Sequence, residues 1–252
     1  CISDAEKAAV LKVLDGEYLG MGSVVGEFEN ELKNYFSRDV VCVSSGTAAL
    51  HLSLQGIGIS AGDEVLVQSL TYLASFQAIS ATGGKPVAVD INKKDFTIDL
   101  IDAKKKLSPR TKAIMPVHYG GSVGDLNEIY CFAEKHGLRV VEDAAHAFGS
   151  VYENKKVGYL GDVVCFSFDG IKNITCGEGG CIVSSDNEFL AKVKSARLLG
   201  VKGDSERRIE RQRTWSPQVD NQGWRYHMSD IMAAIGIEQL KRFPYFSKKR
   251  QD

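Results

Sequence analysis

The chain has 252 residues, 44% of them hydrophobic and 25% charged, with a net charge of −1. This is the make-up of a globular domain with a large core, and the near-neutral charge argues against nucleic acid or a membrane surface as the main partner. No apolar run approaches the length of a bilayer span, and no basic-then-apolar leader opens the sequence.

The pattern opens with two helices. Residues 3–15 carry Ser3 and Glu6 at capping-box spacing and an apolar stripe of Val10, Leu11 and Leu14. A glycine-punctuated loop over 18–23 leads to a second helix with Phe28, Leu32 and Phe36 on one face. From Val40 the pattern becomes β/α alternation. Strands are expected at 40–43, 64–68, 86–91, 112–117 and 139–142, and helices at 47–54, 72–81, 99–107 and 126–136. Two further apolar runs, 163–166 and 181–183, read as core strands around a lysine-bearing connection. A helix is expected at 188–199 and another at 229–240. Residues 202–222, with Arg207, Arg208, Arg211 and Arg213, read as an exposed, mobile loop. Strands this apolar, separated by helices, predict a three-layer α/β/α fold around a mostly parallel mixed sheet, with any ligand along one strand edge.

The six cysteines form no Cys-x-x-Cys pair, and Cys42 and Cys165 sit inside valine-rich runs. Small core thiols are expected there rather than a zinc site or a disulfide framework, which suits a cytoplasmic protein.

Four features could carry chemistry, and each has an ordinary alternative. Ser44-Ser45-Gly46-Thr47-Ala48-Ala49 closes a buried strand and opens a helix, which makes either a phosphate cradle or an ordinary N-cap. It is neither a Walker loop nor Gly-x-Gly-x-x-Gly. Asp143 ends a buried strand, where α/β folds place ligand-binding groups. Two alanines follow it, which leaves room for a flat ring, and then His146; the alternatives are a helix N-cap and a buried structural histidine. Tyr72 could stack on a planar ring or pack in the core. Lys172, five residues after Ser167, is a surface lysine on a turn or an amine held in a partly dry site. A phosphate cradle, an aromatic face, a carboxylate and a lysine are together what pyridoxal 5′-phosphate (PLP) requires.

The three motifs Ser44–Leu50, Glu142–His146 and Ser167–Gly180 resemble those of the DegT/DnrJ/EryC1/StrS sugar aminotransferases across essentially the whole chain. The resemblance implies a fold type I PLP enzyme that moves an amino group from L-glutamate to a nucleotide-linked keto sugar, by a ping-pong Schiff-base mechanism, for surface-polysaccharide or amino-sugar synthesis. It implies Lys172 as the Schiff-base lysine and Asp143 as the partner of the pyridine nitrogen. Tyr72 would stack on the ring and His146 would lie near its phenolic oxygen. The phosphate would fall to Ser45, Gly46, Thr47, Ala48 and Ser167. It also implies a homodimer with a shared site, in which the segment Gly223–Asp230 reaches the neighbour's phosphate. Arg225 and His227 occupy the positions where the family usually has an asparagine, so either would supply that contact. Relatives that dehydrate the sugar have histidine in place of Lys172. A lyase on the same fold and a non-catalytic homologue are the rival expectations. By domain, the resemblance assigns 1–38 to an N-terminal helical segment, 39–240 to the PLP-binding large domain, and 241–252 to the start of a linker helix toward a small C-terminal domain that is largely absent.

Overall fold

The structure is a computed structural model that describes residues 2–212 and 215–251. Cys1 and Arg213 lie outside the described residues. Helix α1 (Asp4–Asp15) begins with the predicted capping box: the Ser3 side chain accepts from the helix, and the Glu6 carboxylate accepts from the Ser3 amide at 2.7 Å. Glu6 is buried and also accepts from Gln239 and Arg242, tying α1 to the last helix. Helix α2 (Ser23–Phe36) buries Val25, Phe28, Leu32 and Phe36.

The sheet has seven strands. In chain order β1 (Asp39–Val43), α3 (Gly46–Gly56), β2 (Glu64–Gln68), α4 (Leu73–Ala81), β3 (Lys85–Val89), α5 (Leu100–Lys106), β4 (Thr111–Met115), α6 (Leu126–His136) and β5 (Arg139–Asp143) alternate. A two-stranded ribbon, β6 (Val151–Tyr152) and β7 (Lys155–Lys156), precedes β8 (Val163–Ser167) and β9 (Gly180–Ser184). The spatial order is β1-β9-β8-β5-β4-β2-β3. Strands β3, β2, β4, β5 and β8 pair in parallel, while β9 runs antiparallel between β8 and β1. The mostly parallel mixed sheet of the sequence reading is therefore present.

Alternation along the strands divides the core into two sides. Val41, Val43, Val65, Val67, Val141, Val163 and Cys165 pack with α3, α4 and α7 (Asn187–Ala196). On the other face Cys42, Val164, Phe166 and Cys181 pack with α2 and α9 (Asp230–Gln251). Leu66, Ile114 and Val140 pack with α5 and α6. Cys42, Cys165, Cys176 and Cys181 are free and buried, and burial pushes each thiol up, so they serve as small core residues.

Three expectations change. The segment 202–222 is not simply an exposed loop: helix α8 (Asp204–Ile209) occupies part of it and buries Asp204 and Ser205. The arginine-rich composition hides this turn of helix, in which Arg208 pairs with the buried Asp204 at 3.2 Å. Helix α7 ends at Ala196, before 199, because Leu199 takes a left-handed φ of 64° and Gly200 follows. The last helix runs past 240 through Pro244 to Gln251. No helix of the described residues is long and apolar enough to cross a membrane.

Candidate active site

The strand ends create the site. After β1 the chain turns at Ser44 into α3, and Ser45 is its N-cap, accepting from the Ala48 amide at 3.0 Å. The first amides of a helix have no partner within it, so those of Gly46 and Thr47 remain for an anion, whereas that of Ala48 is already bonded to Ser45. Ser167, the last residue of β8, faces this helix start. A Cβ built on Gly46 would sit 2.8 Å from the Ser167 Cβ, so glycine lets the two hydroxyl-bearing segments touch. Gly180 is equally constrained, with the Ser45 carbonyl oxygen 2.6 Å from an added Cβ.

Period-two alternation also sorts the two acids of β5. Asp143 shares the parity of Val141 and points to the α3/α4 side, while Glu142 shares that of Val140 and points away. Asp143 is 5% exposed and accepts from the Ser75 hydroxyl at 2.7 Å and from the Ala145 amide at 3.2 Å. It is not a helix N-cap. Glu142 instead forms a buried pair with His118 at 2.8 Å and accepts from Tyr130 at 2.6 Å. The His118 amide donates to the Asp143 carbonyl oxygen at 3.0 Å, which ties the loop after β4 to the end of β5.

Lys172 lies in the connection from β8 to β9. Phe166 and Phe168 on either side of Ser167 enter the aromatic core, where Phe166 stacks on Phe36 with centroids 4.9 Å apart and Phe168 meets Phe28 at 5.6 Å. The turn itself is held by the Asp169 carbonyl oxygen, which accepts from the Lys172 amide at 3.0 Å, and by the Asp169 carboxylate, which accepts from the Ile171 amide at 3.1 Å. The Asn173 side chain donates to the Phe148 carbonyl oxygen at 2.8 Å. Gly177, with φ of 82°, supplies the left-handed residue that returns the chain to the sheet. Lys172 is half-buried, and no ion pair occupies its amine among the described residues.

Ser45, Gly46, Thr47, Tyr72, Asp143, His146, Ser167 and Lys172 line one cleft of about 550 Å³. Ala48 is buried behind it. Tyr72 is the N-cap residue of α4 and is 73% exposed, so it offers a ring face to the cleft instead of packing in the core. His146 accepts from the Gly120 amide through Nδ1 at 3.3 Å, which places the proton of the neutral ring on Nε2. Burial, with the nearby Lys172 charge, lowers its pKa from the ordinary 6.5, against a weaker pull from Asp143.

Arg225 and His227 are not in this cleft. Their segment runs beside it: the Ser44 amide donates to the Tyr226 carbonyl oxygen at 2.7 Å, and His227 bridges Val43. Trp224 and Tyr226 stack on each other and pack against His51 of α3. Arg225 is exposed. His227 is half-buried in the field of Arg225, Arg208 and Arg197, and burial with these cations pushes its pKa down to about 4. Sequence reasoning missed Ser75, Thr71, Tyr119 and His118. Thr71 and Tyr119 line the cleft, Ser75 buttresses Asp143, and His118 lies behind it. Isolated hydroxyls and a tyrosine carry no motif, and only the fold brings them to the site.

The profile of the DegT/DnrJ/EryC1/StrS aminotransferase family matches residues 1–252. The chain belongs to that family. Among its curated relatives, the GDP-perosamine synthase of Caulobacter vibrioides is 42% identical over 239 residues, covering 94% of this chain and 62% of the synthase. The spore coat polysaccharide biosynthesis protein SpsC of Bacillus subtilis is 36% identical over 252 residues, covering 100% of this chain and 65% of SpsC. The crystal structure of S. venezuelae DesV in complex with a ketimine intermediate superposes with a TM-score of 0.87 at 35% identity, over 95% of this chain and 62% of DesV. NtdA from Bacillus subtilis, with bound cofactor PMP, gives a TM-score of 0.87 at 30% identity, over 97% of this chain and 55% of NtdA. The chain thus spans somewhat less than two thirds of these family members.

Proposed function

We propose that the cleft binds PLP and that the protein transfers an amino group from L-glutamate to a nucleotide-linked keto sugar in polysaccharide or amino-sugar synthesis. The observation that carries this reading is the meeting of Lys172, Asp143 and the α3 N-terminus in one cleft from three distant parts of the chain. The donor set fits the cofactor. The contact between Gly46 and Ser167 brings amides and hydroxyls together for a phosphate, and Asp143 is a buried carboxylate with lone pairs left over.

When bound, the cofactor supplies an electron sink beside the substrate carbon that loses its proton. Asp143 keeps the pyridine nitrogen protonated, because an opposite charge favours the charged form. The Gly46 and Thr47 amides with the Ser45, Thr47 and Ser167 hydroxyls hold the phosphate. Tyr72 covers one ring face. His146, whose Nδ1 accepts from the Gly120 amide, would offer its Nε2–H to the phenolic oxygen. The Lys172 amine would serve as the base that removes the donor's α-proton and as the acid that returns it. An amine does both, whereas a histidine there could not join the cofactor covalently, which favours transamination over dehydration.

In this reading the protein is a cytoplasmic homodimer, and Arg225, which is exposed, would meet the phosphate bound by a second copy. Borohydride reduction of the PLP-loaded protein tests the reading: the cofactor mass is expected on the peptide that holds Lys172. An adduct on another lysine, or none on folded protein, overturns it. Conversion of the bound PLP spectrum by L-glutamate tests the donor.

A further inference from the structure

We propose that Thr71 and Ser75 form a hydroxyl relay that positions the Asp143 carboxylate and links it to the ring-covering Tyr72. The inference rests on the PLP reading above and goes beyond it, because it assigns a role to two residues outside the motifs.

The geometry fixes the direction of the relay. Ser75 is 0% exposed, and its hydroxyl lies 2.7 Å from Asp143 Oδ2. An ionised carboxylate only accepts, so Ser75 must donate. The Ser75 oxygen lies 2.6 Å from the Thr71 hydroxyl, and since the Ser75 proton is committed, Thr71 donates to it. The chain of donors therefore runs Thr71 to Ser75 to Asp143, and each bond polarises the next. Oδ1 of Asp143 accepts from the Ala145 amide at 3.2 Å, so each carboxylate oxygen is held by one donor and keeps a lone pair for the cleft. The relay straddles the start of α4: Thr71 precedes the N-cap residue Tyr72, and Ser75 lies in the first turn. A shift of that turn would therefore move the aromatic face and loosen the carboxylate together.

The closing experiment measures the PLP dissociation constant of the cofactor-loaded protein by absorbance, with thermal unfolding as a control for folding. In the Ser75→Ala variant, affinity is expected to fall about tenfold, in keeping with a hydrogen bond to a charged group. Ser75→Thr, which keeps the hydroxyl, should restore it to within about threefold. Thr71→Ala should cost less, and the Thr71→Ala/Ser75→Ala pair no more than Ser75→Ala alone, because both act through one bond. In an Asp143→Ala background, Ser75→Ala should cost nothing further. Equal losses from Ser75→Ala with and without Asp143, or an unchanged affinity in an otherwise PLP-binding protein, overturn the relay. Failure of the wild-type chain to bind PLP overturns the underlying reading instead.

Discussion

Two neighbouring regions contain similar residue types and use them in opposite ways. At the ends of β1, β5 and β8, an aspartate, a histidine, a lysine and several hydroxyls face a shared cleft and keep bonding capacity in hand. On the flank built from α7, α8 and the segment before α9, Arg197, Arg208 and Asp204 are turned on the fold, with His227 beside them in their field. Arg197 is 0% exposed; it donates to Glu29 at 2.5 Å, to the Cys42 carbonyl oxygen at 2.7 Å and to Ser205 at 3.0 Å. Arg208 donates to Asp204 at 3.2 Å. The lesson is that charge and residue type do not mark a site. What distinguishes the first region is that parallel strands end there beside a helix N-terminus, so that polar side chains from distant segments converge on one open cleft.

The contrast can be broken by mutation. The largest effect is expected at the cleft: Lys172→Ala should slow the glutamate half-reaction about a thousandfold, since it removes the group that moves the proton, and leave the unfolding midpoint in place. Stopped-flow absorbance and a denaturation curve measure the two quantities. On the flank the signs reverse. Arg197→Met leaves Glu29 without its buried partner and should cost about 3–5 kcal/mol of stability in a denaturant titration, with PLP affinity of the folded fraction unchanged.

Gly46→Ala lies between the two. Its new Cβ meets Ser167 at 2.8 Å, so either the helix start or the strand end must move. A loss of about 1–3 kcal/mol is expected, read both as a lower unfolding midpoint and as weaker PLP binding.

The smallest effect is at His227. Its folded pKa of about 4 lies below the ordinary 6.5. The unfolded chain therefore takes up a proton that the folded one refuses, and stability falls as pH drops from about 6.5 toward 4. Because the ring is half-exposed, solvent screening limits this to about 1 kcal/mol. His227→Gln should flatten that part of the stability–pH curve, as measured by urea titrations across the window.

Most of the strand and helix order was legible in the sequence, because valine runs and glycine-marked turns are local signals. The motif segments around Ser45, Asp143 and Lys172 stood out too, since each lies at or within a few residues of the end of an apolar strand. The arginine-rich 202–222 segment was not: a local reading takes charge to mean exposure, and α8 instead buries Asp204 and Ser205. Nor could the sequence place His227, whose surroundings come from Arg197, Arg208 and Asp204.

The sequence by itself determined the alternation of strands and helices, the small core thiols, and the family to which the motifs point. Each depends on neighbours a few residues apart, which periodicity and capping reveal. Only the tertiary structure decided which polar groups share a cleft. Ser75 meets Asp143 across 68 positions of chain. Arg197 meets Glu29 across 168. Such pairings exist because the sheet order β1-β9-β8-β5-β4-β2-β3 differs from the chain order, so distant strand ends become neighbours.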